Sequence, residues 1–199
     1  MSLQLDTRQR SERDRTGGFV VIAAMAIVMW LVETIDIVAG DLDSAGIRPR
    51  DGEGLVGIAA SPFLHAGFGH LIGNTIPFLV LGAAIAVGGL ARTLAVTGIV
   101  LLVGGLGTWL TAPPGTVVIG ASGLVFGYAT YLVARGAYSR MPLHFAGGLA
   151  VLVIYGSTLL VGLVPTPGVS WQGHLFGAVG GLVAARTVHR ARAKVAAPA

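Results

Sequence analysis

The feature that most constrains this chain is a succession of apolar stretches, each nearly free of charge and long enough to cross a bilayer. A helix spanning about 30 Å of hydrocarbon needs roughly 20 such residues, and helices pair all their backbone groups internally, as lipid demands. The sequence supplies candidate spans at 18–38, 68–87, 92–111, 118–135, 143–163 and 170–188. Charged residues make up 11% of the chain and hydrophobic ones 54%, whereas a soluble domain is about a quarter charged. The expected fold is an all-α membrane protein, a bundle of six transmembrane helices without internal repeat or second domain. Its parts are a cytoplasmic N-terminal tail at 1–17, a membrane domain at 18–190 with a long first loop at 39–64, and a C-terminal tail at 191–199. The remaining connections are short and carry helix breakers: Gly88-Gly89, Pro113-Pro114-Gly115, Met141-Pro142 and the run from Pro165 to Gly168. The first apolar run is too long for a signal peptide and lacks a small-residue cleavage site.

Lysine and arginine orient the bundle. With the N-terminus inside, Arg8, Arg10, Arg13, Arg15, Arg92, Arg135, Arg140, Arg186, Arg190, Arg192 and Lys194 all lie on the cytoplasmic side. Only Arg48 and Arg50 fall outside, in the first loop, so the expected topology has both termini in the cytoplasm. This placement also argues against nucleic acid as a partner, because the basic residues flank spans and form no patch on a soluble face. The bilayer itself is the expected partner. Cysteine is absent, which excludes disulfides, thiolate nucleophiles and cysteine metal sites.

That topology brings the few intramembrane polar residues to one depth. His65 and His70 precede and open the second span, Asn74 lies one turn deeper, Ser122 sits near the start of the fourth, and His174 near the start of the sixth. All three spans enter from outside. Polar groups in spans are costly and mark function by default. His70 and Asn74, four apart, share a helix face and suit donation of two hydrogen bonds to one oxyanion. Ser122 lies in Gly120-Ala-Ser122-Gly123, where glycines permit close approach and a helix N-terminus favours negative charge. Its own amide is then a third donor. Gly123 and Gly127, and Gly173, Gly177 and Gly181, follow the small-xxx-small pattern of closely packed membrane helices. Such packing would bring His174 to Ser122 as base. All nine acidic residues precede residue 54, so a Ser–His dyad is simpler than a triad, and a two-aspartate protease is excluded.

The residues His65-Ala-Gly-Phe-Gly-His70-Leu-Ile-Gly-Asn74, Gly120-Ala-Ser122-Gly123 and Gly173-His174-Leu-Phe-Gly177, in this order, resemble the rhomboid family of intramembrane serine proteases. The resemblance implies Ser122 as nucleophile, His174 as general base, and His70, Asn74 and the Ser122 amide as the oxyanion site. It gives His65 a supporting role near the first loop and Phe126 a place against the catalytic histidine. It implies single-pass membrane proteins as substrates, cut near the outer face beside small side chains, and requires no cofactor and no metal. The Ala-, Gly- and Val-rich composition fits a bacterial source, hence the inner membrane. One departure concerns the first loop, where many members carry a Trp-Arg pair and this chain has Val56-Gly57; a differently supported loop is expected.

Each residue also has a plain structural role available. Ser122 could cap a helix, Asn74 could bond a neighbouring helix, and Trp30, Trp109 and Trp171 read as interface or core aromatics. Glu33 and Asp36 read as end-of-span residues near the outer surface, with a role in packing the first loop also open, and His144 and His189 read as interfacial histidines. Besides the protease, two readings stay open: a proteolytically inactive relative holding client transmembrane helices, and a metal or transport site at His65, His70 and His174. The sequence leaves the natural substrate and the oligomeric state open.

Overall fold

A computed structural model describes the backbone of residues 2–139 and 141–196 and the side chains of residues 9, 12–139 and 141–189. The side chains of Arg8, Arg10, Arg140, Arg190, Arg192 and Lys194, which weigh in the orientation argument, lie outside that set. The elements are α1 (Ser2–Ala39), α2 (Gly57–Ala60), α3 (Phe68–Ala86), α4 (Leu90–Thr111), α5 (Ser122–Ser139), α6 (Pro142–Val161) and α7 (Trp171–Ala196), with 3-10 turns at Leu42–Ala45, Glu53–Leu55 and Ser61–Phe63. Among the described residues no strand forms, only isolated bridges between Ile47 and Val118 and between Thr166 and Val169. Four segments, Glu12–Ala39, Phe68–Ala86, Leu90–Thr111 and Pro142–Val161, are long and apolar enough to cross a membrane. The protein is a multi-pass helical membrane protein.

Helix ends differ from expectation where local chemistry decides. α1 is helical from Ser2 and α7 runs to Ala196, so most of the two expected tails continues as helix. No glycine or proline interrupts residues 2–16 or 182–196, and strong helix formers carry the helix on. α5 starts at Ser122, not at 118. The preceding segment is held extended because Ile47 and Val118 exchange both backbone N–H···O bonds at 2.9 Å, and Gly120 has φ +106°.

α5 is the hub, packing on α3, α4, α6 and α7. Tyr128, Ala129, Leu124 and Tyr131 are buried along it; Tyr128 stacks on Phe78 of α3 and bonds Thr97 of α4 at 2.7 Å. Against α7 the two backbones nearly touch. A Cβ on Gly177 would lie 2.2 Å from the Gly123 carbonyl oxygen, and one on Gly181 would lie 2.1 Å from that of Gly127. Thr130 of α5 donates to the Ala178 carbonyl across the same seam at 2.8 Å. α6 is the contrast. Apart from Gly148 its described residues are at least partly exposed, and Leu143, Phe145, Leu149, Val153 and Leu160 point outward. In hydrocarbon such residues need no protein partner.

The first loop is wound tightly over the bundle. Val56 is 72% exposed, and a Cβ on Gly57 would lie 2.2 Å from the Gly46 carbonyl oxygen. Where the Trp-Arg pair stands in resembling proteins, one position here faces out and the other has no room for a side chain. Beneath the loop Glu33 of α1 is 1% exposed and accepts the N–H of Gly67, the residue before α3. Asp36 accepts the Leu42 N–H at 2.6 Å. These two are more than end-of-span residues: they fasten the loop and α3 to α1. His65, also 1% exposed, lies in the loop next to His70, ring centroids 5.1 Å apart. Burial first, and the neighbouring His70 second, hold its pKa down at about 4, against a weaker upward pull from the Phe63 backbone.

Two tests follow from this packing. Gly181→Ala is expected to cost about 1–3 kcal/mol by overpacking, whereas Gly156→Ala, with nothing within 4 Å of the added Cβ, leaves stability unchanged. Thermal unfolding in one detergent compares them, and equal midpoints would show the helix seam to be loose. For His65, the unfolded chain protonates near the ordinary 6.5 and the folded chain only near 4. The unfolded state therefore binds more protons in that window. The stability linked to neutral His65 is full above the upper value and is lost as pH falls through the window. Tm of the wild type should drop more steeply on acidification than Tm of His65→Leu; parallel drops would assign the acid sensitivity elsewhere.

Candidate active site

Ser122 is the first residue of α5, so its N–H belongs to the opening turn, whose donors an α-helix leaves without intrahelical partners. The α5 ladder starts where the Val125 N–H donates to the Ala121 carbonyl at 3.1 Å. The hydroxyl lies 2.9 Å from Nε2 of His174. The glycine seam makes this possible: α7 reaches α5 backbone to backbone, so residues one turn before Gly177 come level with Ser122. α7 begins just above, where Ser170 caps it by accepting the Gly173 N–H on Oγ at 3.2 Å.

The other imidazole nitrogen has a partner that no motif announces. Nδ1 of His174 lies 2.7 Å from the carbonyl oxygen of Gly162, at the end of α6. A carbonyl only accepts, so Nδ1 carries the proton and Nε2 presents a lone pair to Ser122. A backbone group thus occupies the place that a carboxylate holds in a triad. Gly162 leaves no choice of side chain, because an added Cβ would lie 2.4 Å from the Phe126 ring and 3.0 Å from Nδ1. Phe126 covers the imidazole face, with ring centroids 4.1 Å apart and planes 6° from parallel.

His70 and Asn74 stand on the other side of the serine turn. A Cβ on Gly120 would lie 2.7–2.8 Å from the edge of the His70 ring and 3.6 Å from Nδ2 of Asn74. Glycine is required there on two counts, the positive φ and the approach of the ring. The Ala66 N–H donates to Nδ1 of His70 at 3.4 Å, which leaves Nε2 to carry the proton and donate. Asn74 uses one N–H on the His70 carbonyl at 3.2 Å, so its second N–H is available. The structure therefore gathers Ser122, His174, His70, Asn74, Gly120, Gly123 and Phe126 at one site, with His65 behind His70. Neither His65 nor His70 joins His174 in a metal cluster; no group of three ligands able to hold a metal forms among the described residues.

Beside Ser122 is a small cavity of about 40 Å³, bordered by Ser61, Thr108, Gly120, Ser170 and Gly173, room for about three waters. A second cleft of about 600 Å³ opens between the 112–119 segment and the 165–172 segment, with His70 and Ala66 in its lining. Sequence reasoning missed three contributors. The Gly162 and Ser61 carbonyls are backbone groups and carry no signal in residue type; the Ser61 carbonyl accepts the Gly120 N–H at 2.8 Å. Ser170 did carry one, a serine just before an apolar helix.

The Rhomboid domain family model matches residues 53–191 of this chain. The uncharacterized protein Rv1337 of Mycobacterium tuberculosis is 45% identical over 191 residues, covering 90% of this chain and 79% of that protein. The uncharacterized protein ML1171 of Mycobacterium leprae is 44% identical over 186 residues, covering 88% and 73% respectively. A Bacillus subtilis protein that bears the name "Putative rhomboid protease YdcA" is 27% identical over 121 residues, 60% of each chain. The matched segment takes in the loop that shelters His65, the helix of His70 and Asn74, the serine turn and the histidine of α7, and on it this chain belongs to the rhomboid family.

Proposed function

We propose that this protein is an intramembrane serine endopeptidase of the bacterial inner membrane, cutting single-pass membrane proteins near the outer leaflet. The observation that carries the reading is the bond chain from the Gly162 carbonyl through His174 to the Ser122 hydroxyl, 2.7 Å and then 2.9 Å. With Nδ1–H held by the carbonyl, Nε2 takes the serine proton as Oγ attacks the scissile carbonyl carbon. The new oxyanion is held by Nε2–H of His70, the free N–H of Asn74 and the Ser122 amide. Imidazolium then gives its proton to the departing amine. Water from the small cavity attacks the acyl-enzyme as His174 takes its proton; the imidazolium then returns that proton to Ser122 Oγ as the ester bond breaks, and the acid product leaves by the outer cleft. Phe126 keeps the imidazole plane fixed through both transfers. No cofactor enters.

The membrane arrangement belongs to the same proposal: six spans, both termini cytoplasmic, a membrane domain at 18–190 and tails at 1–17 and 191–199. The helices α5 and α7, which carry Ser122 and His174, fall short of the apolarity of the other four. Their packing supports spanning all the same. α5 is sheltered by α3, α4, α6 and α7, and a helix faced by protein need not be as apolar as one faced by lipid.

The deciding experiment is labelling of the detergent-purified protein with a fluorophosphonate. Wild type is expected to label, and Ser122→Ala and His174→Ala not to; labelling should survive strong chelation. A folded wild type that stays unlabelled would favour an inactive relative that holds client transmembrane helices, and loss of labelling on chelation would favour a metal site. On a transmembrane substrate, Asn74→Ala is expected to lower kcat by about 100-fold, roughly 2.7 kcal/mol of oxyanion stabilisation, with KM little changed. An unaltered kcat would remove Asn74 from the oxyanion site.

A further inference from the structure

The serine turn is a connection of ten residues between the end of α4 and Ser122, with the 120–122 backbone aimed at the site. Such a stretch needs external support, because an irregular backbone keeps its place only through bonds to its surroundings. Its support comes from the first loop, at two levels. Near the serine, Ile47 pairs with Val118 and the Ser61 carbonyl holds the Gly120 N–H. At the far end, a second set of bonds centres on Arg50 and Trp109. The Arg50 N–H donates to the Trp109 carbonyl at 3.1 Å, Nε1 of Trp109 donates to the Asp51 carbonyl at 2.8 Å, and Nη2 of Arg50 donates to the Ala112 carbonyl at 2.9 Å. The last of these reaches the first residue after α4.

Two facts make this more than casual contact. Arg50 holds φ at +60°, a conformation that costs a non-glycine residue about 1–3 kcal/mol unless its surroundings impose it. The turn that presents it is braced separately, by Arg48 on Asp51 at 2.7 Å and on Glu53 at 2.9 Å. A strained residue is thus kept at the point where loop and connection meet, and its side chain is spent on a backbone carbonyl of the connection.

We propose that Arg50 and Trp109 are positioning residues for Ser122: their clamp fixes the connection against the first loop and so sets the serine turn relative to His174, His70 and Asn74. This rests on the serine-protease reading of the site. Neither residue touches the reacting atoms; each acts through the Ala112-to-Ser122 backbone.

The test uses the full chain in detergent. Arg50→Gly removes the guanidinium while relieving the strained φ, so it should fold; Trp109→Phe keeps the ring and removes the indole donor. Each is expected to slow fluorophosphonate labelling of Ser122 about tenfold or more, within the roughly 100-fold cost of a 1 Å misplacement. On a transmembrane substrate kcat should fall by a similar factor, because the chemical step depends on the same serine turn. Both act on one connection, so the double variant should lose little beyond the worse single one, and Arg50→Lys should recover part of the rate. Hydrogen exchange over residues 112–121 should rise in both single variants while α5 stays protected. Normal labelling rates, or unchanged exchange in that segment, would overturn the clamp and leave the protease reading intact. A folded wild type that never labels would instead overturn the protease reading, and this inference with it.

Discussion

Everything at the site depends on how closely α5 and α7 approach. Membrane helices gain little from burying apolar area against each other, since lipid is equally apolar. What holds them is dispersion and polar contact at short range, and both grow as backbones draw together. Glycine at 123, 127, 177 and 181 removes the side chains that would keep them apart, to the point where a Cβ at 127, 177 or 181 would strike a carbonyl oxygen of the other helix. The seam then admits a direct bond between Thr130 and the Ala178 carbonyl, and it brings an imidazole to a serine hydroxyl without any loop having to fold over them. Bulk is placed elsewhere, at Tyr128, Phe78 and Tyr131, which fill the space on the other faces of α5.

The imidazole shows the same economy. Behind it there is no carboxylate, and the sequence beyond residue 54 contains none to offer. An ionised carboxylate in hydrocarbon would need its own neutralising partner. A helix C-terminus supplies an alternative, since its last carbonyls lack intrahelical donors and carry the negative end of the dipole. Gly162 at the end of α6 presents one of them to Nδ1. This orients the ring and selects its tautomer, and stabilises an imidazolium less strongly than a full charge would. The stacked Phe126 restrains the same ring from its face.

Much of this was legible in residue types because membrane chains spend polarity sparingly. A serine, two histidines and an asparagine at one depth stand out against Ala, Val, Leu and Gly, and the glycine spacing gave the direction in which two of the helices would meet. Legibility ended where backbone takes over. The carbonyls of Gly162, Ser61 and Ala112 do work that no side-chain pattern encodes. The start of α5 was misread because Val118, Ile119 and Ala121 look like the beginning of an apolar span, whereas pairing with Ile47 holds that stretch extended. Trp109 read as an interface or core aromatic, and the bond from its indole N–H to the first loop carried no signal in the sequence. Burial of Glu33 was equally hidden: a carboxylate near the end of an apolar run usually reaches water, and here it turns inward to meet the N–H of Gly67.

The first loop therefore does more than cover the bundle. Its bonds run to α1 through Glu33 and Asp36, to α3 through Gly67, and to the serine connection through Ile47, Ser61 and Arg50. These are the elements that carry His70, Asn74 and Ser122, and they are joined to one another by the loop as well as by packing. His174 is fixed by a separate set, α6 and the α5–α7 seam. The two halves of the site are thus held by different bonds, and they meet on α5, which packs against both α3 and α7. α6 is the least enclosed of these elements, its apolar side chains turned outward, and the Gly162 carbonyl sits at its end. A displacement of that helix would loosen the hold on Nδ1 of His174 while leaving the bonds of the first loop in place, so the imidazole is the part of the site least secured by that loop.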